Sequence, residues 1–214
     1  MLKYLHFSLF LICFLSFSQN KTSILTPFEK GNGNQSTTYE ECISFYQNLA
    51  NNYSTIQMLE KGKTDSGKSL HIVVFSENNN FDFDQDKAIV LVNNGIHPGE
   101  PDGIDASMML LRDLATSKIK IPKNTLVVVI PVYNIDGMLN RNSSSRANQN
   151  GPEAYGFRGN GRNYDLNRDF IKSDTKNSRS FQELFRSINP DVFLDNHVSN
   201  GADYQYTFTC IATQ

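Results

Sequence analysis

The sequence predicts an α/β domain in which a mixed β-sheet is flanked by helices. Residues 88–92 and 125–132 are nearly continuous apolar runs, the pattern of strands covered on both faces. Amphipathic stretches lie between and after them, so the order is strand, helix, strand, long loop, helix, strand. That order requires at least partly parallel pairing. Right-handed crossovers then bring the strand ends and their loops to a common rim. A chain of 214 residues is long enough to bury about 70% of its extended surface in one core.

The first residues stand apart from this domain. Lys3, an apolar run across residues 9–15, and small or polar residues before Gln19 have the layout of a signal peptide over residues 1–18. The run is shorter than the roughly 20 residues of a spanning helix, and no later segment approaches that length. No stable membrane span is therefore expected in the mature chain. An uncleaved amino-terminal anchor is the plainer alternative, and Cys13 lies within the apolar run rather than at its polar end, where a lipid-modified cysteine belongs. Residues 19–37, rich in Asn, Gly, Ser, Thr and Gln, read as a flexible arm with little to bury. The domain proper is expected over residues 38–214.

Thr38 with Glu41 makes a capping box, and Cys42, Ile43, Tyr46 and Leu49 recur at helical spacing, which predicts a helix over residues 39–51. Residues 56–62 and 69–76 bracket the turn Thr64-Asp65-Ser66-Gly67 and predict a hairpin. Residues 105–116 carry Met108, Leu111 and Ala115, the stripe of a second helix. Phe181, Leu184, Phe185 and Ile188 mark a third before Pro190, with residues 192–194 as the next strand and 204–211 as a closing one. The connection over residues 134–170 is far longer than usual and crowded with Asn, Gly, Ser and Arg. Connections of that length are often functional, and Tyr155, Phe157, Tyr164, Leu166 and Phe170 offer it apolar anchors.

With 20 basic and 22 acidic residues, the net charge of -2 offers no broad positive field for nucleic acid or anionic lipid. Once the signal peptide is removed, Cys42 and Cys210 remain. Two cysteines do not make a stapled scaffold, and neither has the local features of a nucleophile. Whether they pair, and the oligomeric state, are not set by the sequence.

The chemistry concentrates at His97-Pro98-Gly99-Glu100, directly after the first apolar strand. A histidine and a carboxylate three residues apart on a turn entering a helix point to one side, and both are ordinary zinc ligands. His197 follows the strand over 192–194. If both strands lie in one sheet, their carboxyl ends bring this third ligand across, giving His, Glu, His and one open position. A two-residue motif of this kind is weak by itself, and a strand-end histidine is commonly just a hydrogen-bonded loop residue.

The run from Gly161 to Phe170 changes that balance. With His97 and Glu100 after a strand, Asn134-Ile135-Asp136-Gly137, the Asp-x-Asn-Arg run at Asp165 to Arg168, and a later strand-terminal His197, the chain resembles the M14 metallocarboxypeptidases, the zinc carboxypeptidase family. The resemblance implies a Zn2+ cofactor held by His97, Glu100 and His197. It implies that Asp165 accepts a hydrogen bond from His97, orienting it and raising its basicity. It makes Asn167 and Arg168 the receivers of the substrate's terminal carboxylate, Arg168 through two parallel charged hydrogen bonds. The family's oxyanion-stabilising arginine is assigned to Arg146, with Arg158 as its rival, because loop length leaves the register open. Asn196 and Val198-Ser199 depart from the continuation of the digestive members.

In the family, a general-base glutamate and a substrate-binding tyrosine lie well downstream of the third ligand, and this chain ends at Gln214 before either. The chain is thus expected to be the amino-terminal portion of a catalytic domain, probing a peptide substrate with a free carboxyl terminus outside the cytoplasm, in the secreted or periplasmic space. A related zinc amidohydrolase and a non-catalytic zinc- or peptide-binding module are the competing functions. Side-chain specificity is not legible, since the residue that sets it falls in the same downstream part.

Overall fold

A computed structural model describes residues 24–83 and 86–199. The signal peptide, Cys210 and the closing strand expected over 204–211 lie outside the described residues.

The arm is ordered from Ile24 onward, against the expectation of a flexible segment. Thr26 caps a short helix, α1 (Pro27–Lys30), through a capping box: its Oγ1 accepts from Glu29 N–H, and its own N–H donates to Glu29 Oε2 at 2.8 Å. Arg112 then donates to the same Glu29 oxygen at 2.6 Å and to the Ile24 carbonyl at 3.0 Å. Further along, Ser36 Oγ donates to the Ala154 carbonyl, and Arg141 donates to the Ser36 and Thr37 carbonyls. Polar composition suggested flexibility because it offers little apolar surface; what ties this stretch down instead is specific partners for Thr26, Glu29, Ser36 and Thr37.

Helix α2 (Tyr39–Asn52) begins at the predicted Thr38–Glu41 capping box and buries Cys42, Phe45, Tyr46 and Leu49, an i, i+3, i+4, i+7 stripe. Strands β1 (Ile56–Lys63) and β2 (Ser69–Ser76) form the expected antiparallel hairpin. Strand β3 (Ala88–Asn93) leads through the metal-ligand turn into helix α3 (Asp102–Ala115), which starts three residues earlier than its apolar stripe suggested because Pro101 opens it. Strand β4 (Thr125–Ile130), the short helix α4 (Ile135–Leu139), helix α5 (Lys176–Ile188) and strand β5 (Val192–Asp195) follow.

The sheet order is β1-β2-β4-β3-β5. The hairpin side is antiparallel, while β3 pairs parallel with both β4 and β5, so the sheet is mixed as predicted. Alternation decides which helix each residue meets. Val73, Phe75, Val127 and Val129 pack with α2 and α3 on one face; Ile72, Val74, Leu126 and Val128 pack with Phe181, Leu184 and Ile188 of α5 on the other. Both faces are covered, and that is why these strands read as unbroken apolar runs. Among the described residues, no helix is long and apolar enough to cross a membrane.

The long connection is structured. Asn142 bridges Tyr155, Leu166–Arg168 forms a 3-10 turn, and Tyr155 and Leu166 are buried as expected of anchors. Tyr164 is not an anchor: it is exposed, with the Arg162 guanidinium 4.5 Å from its ring centroid.

Candidate metal centre

The centre is assembled at the carboxyl ends of β3 and β5. After β3 the chain turns at Gly95, whose φ is +65° and where a Cβ would press on Ile104 and Val132. A left-handed backbone with no room for a side chain accounts for glycine there. The turn closes with Glu100 N–H donating to the His97 carbonyl at 2.9 Å, which sets both side chains on one side. From the neighbouring strand, the parallel register pairs Asn93 with Asp195, so His197 arrives two residues beyond the sheet edge, beside them.

His97 Nδ1 lies 3.2 Å from Glu100 Oε1, and His197 Nδ1 lies 3.0 Å from Glu100 Oε2. One potential ligand atom from each of the three residues falls within 4.8 Å of the others. The two imidazole rings meet edge to face, 5.2 Å between centroids at an interplanar angle of 63°. His97 and Glu100 are buried, and His97 Nδ1 has no hydrogen-bond partner despite its nearness to Glu100. A buried ring nitrogen without a partner is costly, and it faces a carboxylate and a second imidazole. That donor set, two nitrogens and one carboxylate, fits a divalent zinc-type ion with an open position.

The electrostatics agree. Burial opposes ionisation of Glu100, but contacts from His197, His97, Arg146 and the Val198 N–H outweigh it and hold the carboxyl well below the usual carboxylate range. His197 is pushed up to about 9, first by its hydrogen bond with Asp195 and then by Glu100.

Of the remaining predicted residues, Asp165 touches the centre directly and carries the turn of Asn167 and Arg168. His97 Nε2 is 2.8 Å from Asp165 Oδ1, the contact the resemblance implied. The same oxygen accepts the Asn167 N–H at 3.0 Å and so caps the 3-10 turn that carries Asn167 and Arg168. Burial opposes the Asp165 charge, while His97 and Arg158 outweigh it and lower its carboxyl. Arg168 is exposed and donates to the Asn167 carbonyl at 2.9 Å. The neighbouring Asp169 accepts instead from Thr175 and from the Asp174 N–H at the start of α5. Arg146 makes a close ion pair with Glu100 Oε1, and its Nε would overlap a Cβ at Gly99. Arg158 reaches the centre from the other side, with Nε at 3.0 Å and a terminal nitrogen at 2.9 Å from Asp165 Oδ2. Both arginines therefore border the centre. Cys42 is buried in the core, where burial pushes its thiol up, consistent with no nucleophilic role.

A family model described as zinc carboxypeptidase matches residues 42–200. The chain belongs to the zinc carboxypeptidase family. It is 27% identical over 172 residues to a protein named Carboxypeptidase 2 from Trichophyton rubrum, a match covering 77% of this chain and 29% of that relative. Among solved structures, a metallo-carboxypeptidase from Burkholderia cenocepacia shares the fold with a TM-score of 0.61 at 17% identity, over 79% of this chain and 43% of that one. Carboxypeptidase A from Helicoverpa armigera does so with a TM-score of 0.61 at 19% identity, over 77% of this chain and 46% of that one. The chain thus spans less than half the length of each of these zinc carboxypeptidase relatives.

Two contacts escaped the sequence reading. Asp195 lies 3.2 Å from His197 Nε2, and Arg158 forks onto Asp165. Spacing offered a signal for the first, since residues two apart on a strand share a face. It offered none for the second, which depends on how the long connection folds back.

Proposed function

We propose that this chain carries the zinc-binding part of an exported metallocarboxypeptidase, which hydrolyses the last peptide bond of substrates bearing a free carboxyl terminus. The observation that carries this reading is the convergence of His97, Glu100 and His197 within ligand reach, joined through Asp165 to the turn that presents Arg168. Zinc bound there would supply Lewis acidity to the scissile carbonyl and to the attacking water.

The chain's own residues have separable tasks. Asp165 orients His97 and braces the 3-10 turn. Arg168 offers an exposed planar guanidinium matched to a carboxylate, and Asn167 adds an uncharged donor. Arg146, beside Glu100, supplies positive charge next to the reacting carbonyl, with Arg158 the rival for that task. The export reading rests on residues 1–18, and amino-terminal sequencing of the mature product checks it.

The deciding experiment pairs metal analysis with turnover. The purified chain should hold one zinc per molecule, and His97→Ala should lose most of it while circular dichroism stays unchanged. A version of the domain completed downstream should release the last residue of a free-terminus peptide in a zinc-dependent reaction. Absence of bound zinc in a folded protein after supplementation overturns the metal; efficient cleavage within the chain or of amidated termini overturns the carboxypeptidase assignment in favour of an endopeptidase or amidase.

A further inference from the structure

We propose that Asp195, braced by Asn93, is a positioning residue for the third metal ligand, holding the His197 ring so that Nδ1 faces Glu100 and the ion. This rests on the zinc reading above and deepens it.

The parallel register of β3 and β5 sets Asn93 beside Asp195, and adjacent residues in register project from the same face. Asn93 Nδ2 donates to Asp195 Oδ1 at 2.9 Å. His197, two residues past the end of β5, comes back beside Asp195, leaving Asp195 Oδ2 at 3.2 Å from Nε2 while Nδ1 lies 3.0 Å from Glu100 Oε2. One carboxylate thus spans a buried amide and the ligand ring. Both ring nitrogens face a carboxylate, Nδ1 toward Glu100 and Nε2 toward Asp195; once Nδ1 gives its lone pair to an ion, the single N–H of the neutral ring falls to Nε2, where Asp195 accepts it.

The residues between them lock the register. Asn196 Nδ2 donates to Asn94 Oδ1 at 2.7 Å, and Asn94 Nδ2 donates to Ser107 Oγ of α3 at 2.9 Å and to the Ile130 carbonyl at 3.2 Å. The Asn196 N–H also donates to the Asn93 carbonyl at 3.0 Å. Sliding β5 by one residue would break this ladder and turn Asp195 and His197 to the opposite face.

Two features separate positioning from plain packing. Asn93 is fully buried, and its Oδ1 has no partner, so the side chain is kept at a desolvation cost that one hydrogen bond does not obviously offset. The ligand histidines also differ in need. The His97 side chain is 2% exposed and packing confines its ring, whereas the His197 side chain is 32% exposed and depends on its tethers.

The test compares Asp195→Asn, which preserves shape, with the parent chain in two readouts. Zinc affinity, measured by competition with a chromophoric chelator, should fall 10- to 100-fold, the usual effect of removing such a partner. Nitrogen-15 NMR of the zinc-loaded protein should show His197 bound through Nδ1 with its proton on Nε2 in the parent and lose that preference in the variant. A merely structural change would not move the tautomer. Affinity within about twofold of the parent, or an unaltered tautomer, overturns the proposal. If Asp195→Asn does not fold, Asn93→Ala, which leaves the carboxylate unbraced, decides by the same two criteria. If the folded parent binds no zinc, the zinc reading fails and takes this proposal with it; zinc bound with affinity and tautomer unchanged in the variant fails this proposal alone.

Discussion

Asp105 carries a prediction that runs against the usual effect of removing a charge. It lies on α3 facing α2, is 95% removed from solvent on its 5% exposure, and one of its oxygens, Oδ1, has no hydrogen-bond partner. Burial dominates and pushes its carboxyl up to about 7; a Thr37 backbone hydrogen bond and the Arg141 charge act the other way without prevailing. Arg141 is already committed to the Ser36, Thr37 and Ala154 carbonyls. In the unfolded chain the same group titrates near its ordinary value of about 3.9. Between these two values the folded state holds the proton and the unfolded state does not, so stability falls as pH rises through the window and the loss is complete above about 7. Three pH units correspond to an upper bound of about 4 kcal/mol. Asp105→Asn keeps an acceptor for Thr37 and cannot ionise. Urea denaturation should therefore show the variant more stable than the parent at pH 8, by roughly 1–4 kcal/mol, with the gap closing at pH 4. A stability difference that is the same at both pH values would refute the reasoning, because it would mean that Asp105 does not change its charge on unfolding in this range.

Two further outcomes follow from named contacts. Asp65 at the hairpin turn accepts from Lys176 N–H and Asn160 Nδ2, each at 3.0 Å, tying the turn both to the first turn of α5 and to the loop before the Asp-x-Asn-Arg run; Asp65→Ala should cost roughly 3 kcal/mol in urea denaturation, and a cost under about 1 kcal/mol would show that water replaces both bonds. In a turnover-competent version of the domain, Arg168→Ala should lower kcat/KM at least about tenfold on a free-terminus peptide with zinc content unchanged, whereas equal loss on an amidated peptide would make Arg168 a general polar contact.

The legible parts of the fold were those where one local signal had one physical meaning. The Thr38–Glu41 box starts α2 because its two hydrogen bonds are made within four residues. The runs in β3 and β4 are apolar on both faces because both faces are covered. The hairpin turn is visible because Gly67 must take a φ of +80°. Features set by partners far along the chain were not legible. Residues 24–37 read as an arm because Glu29 and Ser36 find their partners in Arg112 and in Ala154 and Arg141. The predicted stripe included Ile43, which is only half-buried, and missed Phe45, two positions on, which is buried. At the centre, the residue types and strand-end positions of His97, Glu100 and His197 were readable, and the two-residue spacing of Asp195 and His197 was a signal left unused; the Asn93 brace on Asp195 was not readable, because it depends on β5 pairing with β3 rather than with another strand.

Asp165 joins His97, a ligand in the proposed metal site, to the 3-10 turn of the proposed carboxylate clamp. Its Oδ1 takes both the His97 ring, at 2.8 Å, and the Asn167 N–H, at 3.0 Å, and its Oδ2 takes Arg158. A single side chain thereby fixes how His97 meets the ion and how the 3-10 turn presents Arg168. Asp165→Asn should disturb both functions, unlike Arg168→Ala, which should leave the metal untouched, or Asp195→Asn, which should leave the clamp untouched. Zinc affinity should fall by about 10- to 100-fold from the loss of the charged partner of His97. In a turnover-competent version saturated with zinc, KM for a free-terminus peptide should still rise, because the turn has lost a charge-assisted cap worth about 1 kcal/mol or more. Measuring both in the same variant separates a shared joint from two neighbouring sites. If saturating zinc restores KM to the parent value, Asp165 serves the metal alone, and the turn holds its geometry through the Arg168 N–H bond to the Asp165 carbonyl at 2.9 Å.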